Sequence, residues 1–377
     1  MTEQSPIPFR WIQNDAELLI AIQDWQTKDF IVLDTEFERT NTFFAKAGLI
    51  QISDGEQIYL IDPLKINDLA VLKPLLENEQ VIIVMHSMSE DVDLLTHVCD
   101  AKLNAIFDTQ VAAAYLGYGL SLGYQRLVQA VLGLELDKSE TRSDWLERPL
   151  SNEQLQYAAG DVFYLVRVYE KLKKELVLAN YYDAVMQDAA LQIDQLAEAR
   201  LLPDSAYLKL RGAWDLPRAQ QELLQDLVIW RDNLARQQDV PKGWVFADAL
   251  LIEFSRYPPE NLEQMKRAKK IKPKSIRLYG SELLEVIAQR SREPKQAFVL
   301  IDRPVKGREL ESFKKLKKEL AVVAQENDLD PQLLASRKML ESLVIHTQRN
   351  QKANLPTMFT AWRKTLFGQR LLAVLQA

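Results

Sequence analysis

FIVLDTEF, residues 30–37, joins an unbroken apolar run to two acids one residue apart. Phe30 to Leu33 is rich in β-branched residues, the pattern of a buried strand. Residues two apart on a strand face the same way, so Asp34 and Glu36 present their carboxylates together at the strand's end. In open α/β sheets, ligands bind beyond the carboxyl ends of the strands. An isolated Asp-x-Glu also has an ordinary reading, a turn cap beside a solvated acid. Other segments must decide between the two.

Working outward, LIQIS (49–53) and QIYLID (57–62) flank Asp54-Gly55, a pair that favours a tight hairpin turn. VIIVM (81–85) is a further buried strand. Apolar residues recur at helical spacing over 16–27, 67–76, 89–99, 108–116, 122–132 and 151–174, with Asp15, Ser121 and Ser151 at N-cap positions. A hairpin followed by strand–helix alternation predicts a mixed sheet flanked by helices. Beyond residue 185 strand signals fade. Residues 205–280 and 290–377 read as two helical blocks separated around 279–293. Leu223, Leu227, Trp230 and Leu234 form the apolar stripe of the first, and Leu316, Leu320 and Val323 that of the second.

Two further acidic elements lie in the first half. In HSMSED (86–91) a strand ends and a helix begins near Ser89, placing Asp91 in the first turn, with Glu90 and Asp93 as rivals. An acid there also suits the helix dipole, its ordinary explanation. In YAAGD (157–161) the spacing of four puts the Tyr157 phenol and the Asp161 carboxylate on one helix face. Gly160 costs a helix ~1 kcal/mol relative to Ala, as expected where a backbone or ligand approaches closely. Four carboxylates without a Cys/His cluster make an all-oxygen environment, suited to Mg²⁺ or Mn²⁺ rather than zinc. Two such cations can activate water and stabilise the leaving oxygen in phosphodiester hydrolysis, and a tyrosine hydroxyl can hold that water.

Composition narrows the alternatives. The 377 residues contain one cysteine, Cys99, and three histidines, which leaves no disulfide framework or thiolate cage and fits a reducing cytosol. The N-terminus lacks the basic start and apolar run of a signal peptide, and no stretch approaches a membrane span. The net charge of −6 argues weakly against nucleic acid, but residues 265–277 hold seven Lys or Arg and no acid.

LDTEF, HSMSED and YAAGDV, in that order, resemble the three exonuclease motifs of the DEDD superfamily, tyrosine subgroup. TNTFFAKAGLIQIS and LDKSETRSDWLERPLSNEQLQYAAGDV extend the resemblance over roughly residues 10–175. WRDNLARQQDVPKGWVFADALLIEFSRYPP (230–259) is similar to the helicase-and-RNase-D C-terminal (HRDC) domain, and residues 305–377 look like a divergent second copy. An exonuclease domain followed by two such modules resembles the bacterial ribonuclease D family. That resemblance implies a ribonuclease H-like α/β domain (1–200) and two all-α modules (205–285 and 290–377). It further implies a cytoplasmic, monomeric 3′→5′ exoribonuclease that trims RNA 3′ ends, notably of tRNA precursors, and releases nucleoside 5′-monophosphates.

Carried over by position, Asp34, Glu36, Asp91 and Asp161 are the metal-binding acids for two Mg²⁺ or Mn²⁺ ions, and Tyr157 orients the water. Asp91 is preferred to Asp93 because the family's acid lies five residues after the position of His86. Lys138 matches a phosphate contact and Arg148 either a contact or a brace. Phe37, Phe43 and Phe44 are candidates for stacking on terminal bases, with core packing as the plainer reading. His86 reads as a satisfied histidine beside the site and Cys99 as a small buried hydrophobe. Lys266, Lys269 and Lys270 are offered as RNA contacts, against the plain alternative of a solvated helix end. A DNA proofreading exonuclease and a catalytically silent RNA-binding adaptor are the rival functions.

Overall fold

The computed structural model describes residues 6–136, 140, 143–201, 203–289, 295–352 and 354–376. The first part of the chain runs β1 (Arg10–Ile12), α1 (Asp15–Trp25), β2 (Phe30–Glu38), β3 (Lys46–Ser53), β4 (Ile58–Ile61), α2 (Lys73–Leu76), β5 (Ile82–Met85), α3 (Ser89–Val98) and β6 (Ile106–Asp108). Helices α4 (Thr109–Tyr115), α5 (Tyr124–Leu132), α6 (Asn152–Leu178) and α7 (Tyr182–Leu201) follow. The six strands form one mixed sheet in the order β1-β4-β3-β2-β5-β6. Strands β2, β3 and β4 pair antiparallel, while β1 joins β4, β5 joins β2 and β6 joins β5, all in parallel. This is the mixed sheet with flanking helices that the sequence predicts.

Local chemistry accounts for the elements and corrects some boundaries. The β3–β4 turn closes at Asp54-Gly55: the Asp54 carboxylate accepts the N–H groups of Glu56 and Gln57 at 3.0 and 2.7 Å, and Gly55 takes φ +91°. Ser151 starts α6 with a reciprocal capping box to Gln154. The other two caps fall elsewhere. Asn14 rather than Asp15 caps α1, leaving the Asp15 carboxylate to accept from the Asn67 N–H; Gly123 rather than Ser121 precedes α5.

Strand β2 also runs on to Glu38, because β3 continues to pair with it after β5 stops at Val32. Asp34 and Glu36 thus lie within a strand, but beyond the end of its parallel neighbour.

One sheet face carries Val32, Leu49, Leu60, Val84 and Phe107 beneath α4, α5 and α6; the other carries Ile31, Leu33, Ile50, Ile52 and Ile83 beneath α1 and α3. The first core continues without a break into Leu316, Leu320, Phe359 and Phe367 of the C-terminal segment.

Compactness accordingly cuts across the three sequence segments. One unit comprises Met1–Glu38, Lys46–Leu196 and Val305–Ala377; the other comprises Arg39–Ala45 and Ala197–Pro304. The second unit contains α8 (Arg218–Gln237), α9 (Lys242–Val245), α10 (Asp248–Arg256), α11 (Leu262–Met265) and α12 (Pro273–Gln289) around Leu223, Leu227, Phe246, Phe254 and Leu283. Tyr279, expected at a break between blocks, lies inside α12. Trp230 of the predicted stripe sits at the edge of this core, its indole N–H on Glu282 at 2.9 Å. Phe43 and Phe44 belong to the same unit: both N–H groups donate to Asp239 Oδ1 at 3.0 Å, and the Arg236 guanidinium lies 4.9 Å from the Phe43 ring.

The C-terminal segment is α13 (Arg308–Glu326), α14 (Pro331–Leu334), α15 (Arg337–Val344), α16 (Ala361–Arg363) and α17 (Gln369–Gln376). Its attachment within the first unit centres on Asp188 of α7. That carboxylate receives both Nη groups of Arg363, Trp362 Nε1 at 3.0 Å and the Tyr115 hydroxyl at 2.7 Å.

Candidate active site

Strand alternation sends Asp34 and Glu36 to the face covered by α6, and α6 brings Tyr157 and Asp161 down one turn apart. The turn after β5 adds Asp91 from the start of α3. The result is a cleft of about 260 Å³ lined by Asp34, Glu36, Phe37, Asp91, Tyr157 and Asp161, joined by His86 and Tyr124. All five motif residues therefore meet, although they come from three separate segments. Of the two rivals to Asp91, Asp93 is absent from the lining, whereas Glu90 is part of it.

Burial first, and mutual repulsion second, raise these acids. Asp34 is pushed up to about 8 by burial and by Asp161, against the N–H of Thr35. Glu36 rises to about 9 through burial and then the charges of Asp34, Asp161 and Asp91. Asp91 rises to about 8 through burial and Asp34, and Asp161 to about 8 through burial. Hydrogen bonds hold two of the carboxylates in place and oppose the rise: the Thr35 hydroxyl donates to Asp91, and the Tyr157 hydroxyl to Asp161. Among the described residues lining the cleft there is no Lys or Arg.

This donor set fits a hard divalent cation, since oxygen ligands and uncompensated negative charge are what Mg²⁺ and Mn²⁺ require. Among the described residues no three acid, histidine or cysteine side chains already form a chelating group, so the carboxylates share a cleft rather than a closed cage.

The raised acids set a pH dependence. Between about pH 4 and pH 9 the folded chain keeps protons that the unfolded chain has released, so stability falls as pH rises through that window. In chelator, Asp34→Asn should melt higher than the unsubstituted chain, and the gap should widen from pH 5 to pH 9. Thermal scans showing a gap that is constant or narrows with pH would reject this assignment of charge.

Several residues are placed differently from expectation. Arg148 spends every N–H inside the protein. Nε and Nη2 grip Asp62 at 3.0 and 2.8 Å, Nη2 also reaches Gly48 O at 2.6 Å, and Nη1 reaches Trp145 O and Glu147 O at 2.9 and 2.8 Å. It is a brace, with no donor left for a phosphate. The brace holds Trp145 over Gly48, where the register slip between Glu36 and Phe37 makes a bulge. A Cβ on Gly48 would stand 2.6 Å from Trp145 O. Gly48 is thus a true close approach, whereas a Cβ on Gly160 would meet ordinary contacts at 3.8 Å.

His86 has its Nδ1 3.0 Å from the Thr109 hydroxyl, while Nε2 is buried and meets no hydrogen-bond partner of good geometry among the described residues; burial lowers its pKa, against Asp108 and the Leu122 backbone. Thr35 and Tyr124, whose hydroxyl donates to the backbone carbonyl of Asp161, carried no sequence signal. Lys138 lies outside the described residues. Lys266 pairs with Glu263 at 2.5 Å, and Lys269 and Lys270 are exposed on the second unit. No helix among the described residues is long and apolar enough to cross a membrane.

Comparison with known proteins identifies the family of the chain. Residues 9–177 match the 3′-5′ exonuclease family model, 220–287 the HRDC domain, and 310–371 the C-terminal HRDC domain of ribonuclease D. The chain is 34% identical to ribonuclease D of Pseudomonas paraeruginosa over 369 residues, covering 98% of each chain. It is 33% identical to that of Escherichia coli over 374 residues, again covering 98% of each. The crystal structure of E. coli RNase D, described as an exoribonuclease involved in structured RNA processing, superposes with a TM-score of 0.90 at 31% identity, covering 98% of this chain and 99% of that one. The chain belongs to the ribonuclease D family of hydrolases and is a 3′→5′ exoribonuclease.

Proposed function

We propose that this enzyme trims the 3′ ends of structured RNAs such as tRNA precursors in the cytoplasm, acting as a monomer and releasing nucleoside 5′-monophosphates. The observation that carries this reading is the convergence of four carboxylates and a tyrosine in one cleft whose described lining has no cationic side chain. Asp34, Glu36, Asp91 and Asp161 would hold two divalent cations, Mg²⁺ or Mn²⁺. When bound, these supply the Lewis acidity that offsets charge on the attacking and leaving oxygens.

The protein's own residues do the positioning. Tyr157, held through its bond to Asp161, keeps an oxygen lone pair with which to orient the attacking water. Thr35 fixes one carboxylate oxygen of Asp91. Phe37, half-buried at the cleft, is placed to stack on the terminal base, worth ~1–3 kcal/mol.

The test is a 5′-labelled RNA with an unstructured 3′ tail, incubated with Mg²⁺, Mn²⁺ or chelator beside a matched DNA strand. A ladder shrinking from the 3′ end of the RNA, requiring metal and releasing 5′-monophosphates, is the expected result. RNA binding without cleavage under any condition would favour the silent adaptor, and equal cleavage of DNA would remove the RNA assignment.

The exposed Lys269 and Lys270, with Lys266, are offered as phosphate contacts. Neutralising all three should weaken RNA binding and flatten the dependence of log K on log salt by roughly 2. Unchanged affinity would dismiss that contact.

A further inference from the structure

Gln51 poses a problem that the described site does not solve. It is fully buried in the middle of β3, yet neither its amide nitrogen nor its amide oxygen has a hydrogen-bond partner among the described residues. An amide buried in this way costs free energy unless some group completes it. Its neighbours narrow the choice. In the sheet register Gln51 stands directly opposite Asp34, so the two side chains share a face and their Cβ atoms lie about 4.5–5.5 Å apart. On the other side its opposite number is Leu60, which offers nothing polar. Gln51 does not line the cleft, so it lies behind Asp34 and out of reach of substrate.

The support given to the acids shows a gap at the same place. Asp91 has the Thr35 hydroxyl, and Asp161 has the Tyr157 hydroxyl. Asp34 has a backbone N–H from Thr35 but, among the described residues, no side-chain donor. A second orphan completes the pattern: Trp145 Nε1 is a buried donor with no acceptor among the described residues, on the segment that Arg148 clamps over Gly48, three residues before Gln51. An amide has a donating end and an accepting end, and the Asp34 carboxylate and the Trp145 indole need one of each.

We infer that Gln51 is a positioning residue for Asp34, its amide N–H acting on the rear of the carboxylate and its carbonyl oxygen on the Trp145 indole, each through a bound water. Carboxylates that ligate metals depend on such outer hydrogen bonds to fix the oxygen presented to the ion. The inference rests on the reading of the four acids as a cation site.

Calorimetric titration of the chelator-stripped full chain with Mn²⁺ alone tests it. Gln51→Met keeps the volume and removes both hydrogen-bonding ends. Its dissociation constant for Mn²⁺ should rise about 10–100-fold, with kcat falling and the KM for RNA unmoved. The metal-free Tm should hold or rise, a response that a merely structural glutamine would not give. Gln51→Asn withdraws the amide by one methylene and must move the Mn²⁺ affinity in the same direction, which decides the matter if the Met variant fails to fold. Affinities within about twofold of the unsubstituted chain overturn the inference. If the unsubstituted chain binds no Mn²⁺, and Asp34→Asn behaves identically, the cation-site reading itself has failed and this inference falls with it.

Discussion

Asp34→Asn is expected to cut the rate of RNA cleavage by about a thousandfold or more, several kcal/mol of transition-state stabilisation, while RNA binding survives. The asparagine is nearly isosteric, so β2 and its pairing with β3 should persist. What disappears is one full charge at the point where the repulsions of the site meet, since Asp34 raises both Glu36 and Asp91. Tyr157→Phe should be milder, about a hundredfold, because it removes one hydroxyl that orients water and steadies Asp161. Single-turnover cleavage beside filter binding separates the two effects. An Asp34→Asn chain that cleaves within tenfold of the original would show that the cleft is not where the phosphodiester is broken.

The second large effect is on stability. Asp188→Ala is expected to cost ~3–5 kcal/mol, because it strands Arg363, only 6% exposed, together with Trp362 Nε1 and the Tyr115 hydroxyl. For a unit of this size that corresponds to a fall in Tm of roughly 10 °C. Replacing both partners, as Asp188→Leu with Arg363→Met, should recover much of the loss, since no uncompensated charge then remains buried. A double variant no better than Asp188→Ala would mean that the contacts, and not the stranded charge, carry the cost.

Much of the site was legible because periodicity is a local property. Asp34 and Glu36 share a face through the two-residue repeat of a strand, and Tyr157 and Asp161 through the helical turn. The family motifs brought Asp91 to them. Thr35 was not legible, since its partner lies 56 residues away and only the folded chain brings them together. Strands β1 and β6, three residues each, are too short for a period to register and exist through their pairing with β4 and β5. The protein surroundings of a glycine were not legible for a related reason. Gly160 and Gly48 look alike in sequence, but the space that each faces is set by distant residues, and only Gly48 meets a backbone. Arg148 was ambiguous until all five of its donors could be followed to acceptors.

The first compact unit is interrupted in sequence: it pauses at Leu196 and resumes at Val305. On the ribosome, the sheet and α7 emerge on the order of ten seconds before the helices that complete their core. During that interval Tyr115 and Asp188 wait for partners still unsynthesised, and the apolar face around them stays open to solvent and to other nascent chains. A stop codon just before Val305 would make that interval permanent. Truncation there would not yield a trimmed nuclease but a chain arrested at its most aggregation-prone moment, which makes the last helices of this protein a requirement of its biogenesis.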